Sequence, residues 1–173
     1  MTNMSFDNST SKRLSAMELI RILNLKPLPS EGGKYRQTYA SADLTDGVPR
    51  DTAIYYMLEG DDFSHLHRLP RNELYHFYLG DPVELTELLP DGSALRTVLG
   101  QDLAAGQTVQ HMVNAGNWQG SRLIEGGEYA LLGTTMSPGF TEDCYEHGAR
   151  DVLLLQYPEA ANEIIRLTHH RSM

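Results

Sequence analysis

Two imidazoles and a carboxylate stand close together in the segment Gly60-Asp61-Asp62-Phe63-Ser64-His65-Leu66-His67-Arg68-Leu69-Pro70-Arg71-Asn72-Glu73, which Gly80 closes. Side chains alternate faces along an extended strand, so His65 and His67 are expected to project to one side. A turn over Arg68 to Asn72 would bring Glu73 to them from the next strand. Such a trio can hold a divalent metal as a facial triad, an N,N,O set suited to Zn, Mn, Fe or Ni. It can also work without metal, as a general base with an orienting acid. If the strand from Glu73 alternates regularly, Tyr75 and Phe77 share its interior face while His76 and Tyr78 point away.

Further residues extend this candidate pocket. Trp118 offers a flat apolar face to a sugar ring or, equally, a core residue at a barrel end. Gln110 and Gln119 offer hydrogen bonds to hydroxyls, and Arg68 and Arg71 offer charge to an anionic group unless they are solvated turn residues. Glu142, Asp143, Glu146 and His147 read as a solvated acidic edge. Cys144 has no adjacent base to activate it, and His169 and His170 belong to a fraying end.

The elements that must position these groups are those of one domain. The chain has 173 residues with 40% hydrophobic and 21% charged content, enough for a substantial core. Fourteen basic against 23 acidic residues leave a net charge of −9. With no long basic run, nucleic acid and an anionic membrane surface are disfavoured as partners. A lone cysteine, a polar N-terminal stretch and no apolar run near the roughly 20 residues of a membrane helix point to the cytoplasm.

Residues 1–12 are expected to form a disordered tail and residues 13–173 the domain. Ser15-Ala16-Met17-Glu18 has the spacing of a capping box, followed by an apolar stripe that Pro27 and Pro29 end. From Tyr35 onward, short runs rich in Val, Thr, Tyr and Leu are separated by turn signals, with strands expected at Arg36 to Ala40, Ala53 to Leu58, Ser64 to Leu69, Glu73 to Leu79, Val83 to Leu89, Leu95 to Leu99, Thr108 to Val113, Trp118 to Leu123, Tyr129 to Thr135, Thr141 to Glu146 and Val152 to Gln156. Pro158 to Leu167 then reads as a C-terminal helix. So many short antiparallel strands suggest a sandwich or barrel.

The order Gly60, His65-x-His67, Glu73, Gly80 resembles the first motif of the cupins. Asn114-Ala115-Gly116-Asn117-Trp118-Gln119 matches the second, with Gln119 where the last histidine ligand would stand. His67-Arg68-Leu69, Glu73 to Asp81, Gly116 to Gln119 and Ser137-Pro138-Gly139-Phe140 look like the cupin branch called domain of unknown function 985, from about Met17 to Leu167. The resemblance implies a mainly all-β fold, a double-stranded β-helix or jelly-roll barrel with a short N-terminal helix and a C-terminal helix. It also implies a homodimer that covers sheet edges. Similarity to sugar-nucleotide epimerase cupins implies a carbohydrate or sugar-phosphate isomerase or epimerase, acting on a small polar metabolite and needing no cofactor, with His67 as the base, Glu73 as its orienter and Tyr75 or another of the nine tyrosines as the acid. The alternatives are a non-catalytic cupin that holds a small metabolite, or a weak metal-dependent enzyme whose divalent ion sits on His65, His67 and Glu73.

Overall fold

The computed structural model describes residues 13–169. The tail expected over residues 1–12 and the end residue His170 lie outside the described residues. The chain enters the fold through α1 (Ala16–Leu23), and the capping box forms as expected. Ser15 Oγ accepts from the Glu18 amide at 3.3 Å, and the Glu18 carboxylate accepts from the Ser15 amide at 2.8 Å. Asn24, in the left-handed region at φ 51°, ends the helix before either proline is reached. Leu19 and Leu25 then pack on Met57, Tyr129 and Leu131.

Thirteen strands follow among the described residues: β1 (Lys26–Pro27), β2 (Lys34–Ala40), β3 (Leu44–Thr45), β4 (Val48–Pro49), β5 (Thr52–Glu59), β6 (Phe63–Arg68) and β7 (Glu73–Gly80). Then come β8 (Val83–Leu88), β9 (Ala94–Leu99), β10 (Gln110–Val113), β11 (Trp118–Leu123), β12 (Tyr129–Met136) and β13 (Glu146–His147). One sheet has the order β1-β2-β5-β12-β7-β10, a second β13-β6-β11-β8-β9, and β3 and β4 pair as a separate two-stranded sheet. From β5 to β13 the chain alternates between the two large sheets except at β8 and β9, which share one, so the two faces close on each other as the expected jelly roll. Its interior holds Tyr56, Leu58, Tyr75, Phe77, Val83, Leu85, Leu99 and Leu132.

The last two expected strands are not as predicted. Thr141 to Glu146 holds a 3-10 turn, Glu142–Cys144, before the two-residue β13, and Val152 to Gln156 lies in α2 (Arg150–Gln156). A short apolar run has no period of its own, and here packing chose the helix. Leu153 is fully buried while Leu155 is 85% exposed. A 3-10 turn at Pro158–Ala160 leads into α3 (Ala161–Arg166), and the two helices seal the outer face of the second sheet. There Leu66, Leu88 and Trp118 meet Leu153, Ala160, Ile164 and Leu167. No helix among the described residues is long and apolar enough to cross a membrane.

Candidate functional site

The strand that carries both histidines is bulged, and the bulge decides which of them reaches the interior. His67 pairs with Gln119 of β11, but Ser121 pairs with Ser64, so β6 spends an extra residue against Gly120. Gly120 permits the approach: a Cβ there would lie 2.9 Å from the Ser64 carbonyl oxygen. The alternation that would have put His65 beside His67 is thereby broken. His65 stacks instead on His147, with ring centroids 3.7 Å apart, and lies near Phe63 and His169. Its Nδ1 bonds the Leu66 carbonyl at 2.9 Å, and burial lowers its pKa to about 4. His65 is therefore no part of the pocket, contrary to expectation.

His67 does face inward, into a cavity of about 320 Å³ that Glu73 and Tyr75 also line. This volume suits a small molecule. His67 Nδ1 lies 2.7 Å from the His65 carbonyl oxygen. A carbonyl can only accept, so Nδ1 carries the proton and Nε2 keeps its lone pair. Burial lowers the His67 pKa, offset in part by the charge of Glu73, so the ring is neutral near pH 7. Tyr145 stacks over it at 5.2 Å.

Burial raises the pKa of Glu73, and the His67 charge pulls it back, while Glu31 pushes it further up. Gln119 Nε2 donates to Glu73 Oε2 at 2.7 Å. Gln119, expected to bond ligand hydroxyls, is not on the cavity wall but lies behind it, where it orients the carboxylate. Burial also pushes the hydroxyl pKa values of Tyr56 and Tyr75 well above the ordinary value, so both stay protonated, and the Tyr56 hydroxyl donates to the Gly32 carbonyl at 3.1 Å.

Glu31 was not among the residues singled out from sequence. It comes from the loop between β1 and β2, which lies so close to β6 that a Cβ on Gly32 would collide with the Phe63 carbonyl. Ser64 Oγ donates to Glu31 Oε1 at 2.9 Å, and burial pushes the carboxyl up to about 7. The signal in the sequence was Ser30-Glu31-Gly32-Gly33, where Ser30, Gly32 and Gly33 all adopt positive φ. A carboxyl whose folded pKa lies above its unfolded one stabilises the fold fully below the unfolded value. That contribution is lost as pH rises from about 4.5 through about 7. Glu31→Gln is therefore expected to be more stable than the parent at pH 8 by about 3 kcal/mol, or about 6–12 °C in Tm. The gain should vanish by pH 4.5 in the same melting experiment; equal gains at both pH values would refute the buried carboxyl.

Four expected ligand contacts, Arg68, Trp118, Gln110 and Phe77, are not on the cavity wall, and strand alternation explains most of them. Arg68 follows His67 and so turns outward, bonding Glu146 at 2.8 and 2.9 Å and covering the Trp118 ring at 4.6 Å. Trp118 precedes the inward Gln119 and so belongs to the outer core under the C-terminal helices. Gln110 pairs with His76, which points away as expected, and its Nε2 meets His76 Nδ1 at 3.1 Å. Phe77 does face inward but packs with Val83 and Leu85 in the apolar cluster, outside the cavity wall. Arg71 donates to the Gly139 carbonyl at 2.5 Å and to Thr141 Oγ1 at 3.3 Å, which ties down the segment bearing Phe140, Thr141 and Glu142 at the cavity. Glu142, expected on a solvated edge, is exposed and also borders the cavity.

The Cupin superfamily (DUF985) model matches residues 17–147. The chain belongs to this cupin family. A protein of Shewanella oneidensis has 32% identity and a TM-score of 0.86, the match covering 91% of this chain and 99% of that one. A hypothetical protein from Leishmania major has 28% identity and a TM-score of 0.84 over 91% of this chain and 100% of that one. Bacillus subtilis oxalate decarboxylase, which has Mn(II) centres, shares the fold alone at 14% identity and a TM-score of 0.55, over 84% of this chain and 38% of that one. No curated protein matches the sequence.

The expected metal set does not assemble in this cupin. Among the described residues, no three His, Cys, Asp or Glu side chains gather as a group able to hold an ion. The bulge takes His65 away, and the Gln119 amide occupies an oxygen of Glu73. The cavity wall thus carries a neutral imidazole, two carboxyls shifted upward by burial, and protonated tyrosines.

Proposed function

We propose that this cupin binds a small polar carbonyl compound in the barrel and moves a proton on it, as a carbohydrate isomerase or epimerase does. The observation that supports this reading is the hydrogen bond from His67 Nδ1 to the His65 carbonyl inside the cavity. It holds the ring in the one tautomer whose Nε2 can take a proton. In this reading Nε2 removes the proton from a carbon next to the carbonyl, and the electron pair moves onto the carbonyl oxygen. Tyr75, which is protonated, donates a hydrogen bond to the developing oxyanion. Glu73 offsets the charge that His67 gains, and reprotonation at the neighbouring or the same carbon completes isomerisation or epimerisation. The sugar-phosphate form of the proposal has less support, because Arg68 and Arg71 are engaged elsewhere.

The test is solvent exchange. Dihydroxyacetone, erythrulose, xylulose and fructose are incubated with the protein in D2O, and proton NMR follows the C–H signals next to the carbonyl. Protein-dependent loss of one such signal is expected. Binding without exchange would select the non-catalytic cupin, and neither binding nor exchange would remove the carbonyl reading.

A further inference from the structure

Building on the ligand pocket proposed above, we infer that its ligand carries a protonated amine, so that the substrate class is amino sugars and other small amino-carbonyl compounds. The first argument is the charge of the wall. Glu31, Glu73 and Glu142 border the cavity, and no lysine or arginine does so among the described residues. The cations close in sequence are held elsewhere. Lys34 pairs with Glu59 and Asp62, Arg36 lies over Tyr55, Arg68 bonds Glu146, and Arg71 bonds Gly139 and Thr141. An anionic ligand would meet carboxyls with nothing to balance it, whereas an ammonium would favour the ionised form of these raised carboxyls and so gain its counter-charge on binding.

The second argument is hydrogen-bond accounting. Gln119 is 1% exposed, and its Nε2 is used on Glu73, but its Oε1 has no partner among the described residues. An orphaned buried acceptor is costly, and beside it Glu73 is an acceptor whenever it is ionised. Gln119 stands behind the cavity wall, so this surplus of acceptors meets the cavity through the Glu73 carboxylate that borders it. An ammonium brings three donors and no acceptor, which is the complement such a wall lacks. The third argument is the aromatic wall. Tyr35, Tyr56, Tyr75, Phe140 and Tyr145 line the same space, and ring faces attract an organic cation removed from water.

The experiment uses the intact protein and probes matched in size that differ in charge: D-glucosamine against D-glucose, N-acetylglucosamine and D-glucuronate, and ethanolamine against ethylene glycol and glycolate. Titration calorimetry, with NMR for millimolar affinities, should find the amines at least tenfold tighter than their neutral partners and the anions undetectable. Glu31→Gln and Glu73→Gln should each reduce that ratio towards one, with circular dichroism confirming that the variants fold. Binding of neutral or anionic probes as tight as the amines would overturn the inference, as would failure of both amines to bind. Because the carbonyl probes in the D2O experiment carry no amine, exchange on them would uphold the acid–base reading even if the amine preference failed.

Discussion

His67→Asn is expected to slow carbonyl-dependent solvent exchange by about 10²–10⁴-fold, the usual contribution of a positioned general base. The choice of asparagine separates two roles. Its amide nitrogen sits near the place of Nδ1 and can still donate to the His65 carbonyl, which His67 bonds at 2.7 Å. Nothing in asparagine reaches the position of Nε2, so the fold keeps its hydrogen bond while the pocket loses its base. The exchange rate is read by NMR and the stability by thermal melting on the same preparation. A variant that exchanges at the parental rate, whatever its Tm, would reduce His67 to a structural histidine.

Trp118→Ala is expected to cost about 3–5 kcal/mol of stability, the range for removing a large aromatic from a core. The ring is 5% exposed and packs with Leu66, Leu88, Leu153 and Ile164, with the Arg68 guanidinium on its other side. Its removal opens a cavity between the second sheet and the C-terminal helices rather than in the ligand pocket. Denaturant unfolding should therefore show the loss, while probe affinity, measured where the variant is still folded, should stay within about threefold of the parent, which is under 1 kcal/mol. A small loss of stability with a large loss of binding would return Trp118 to the ligand face.

The sequence by itself determined the strands and the pocket's first members. Periods of two, punctuated by Gly, Pro, Asn and Asp, place β5 to β12 close to their observed bounds, because a half-buried strand must alternate and turns need particular backbone angles. The capping box at Ser15 was equally local. His67, Glu73 and Tyr75 could be recognised because their spacing across one turn put them on facing positions. What depended on partners distant in sequence could not be read this way. The bulge that removes His65 is a mismatch between β6 and β11. Gly120 hinted at it, but only the paired strand shows which residue is displaced. Whether Val152 to Gln156 became strand or helix depended on the sheet face it covers, since a short apolar run suits either. Glu31 enters the pocket only because its loop folds onto β6, and no spacing rule connects it to His67. Alternation was legible, but Arg68 and Trp118 were placed in the site beside neighbours that already faced inward, and two adjacent strand residues cannot share one face.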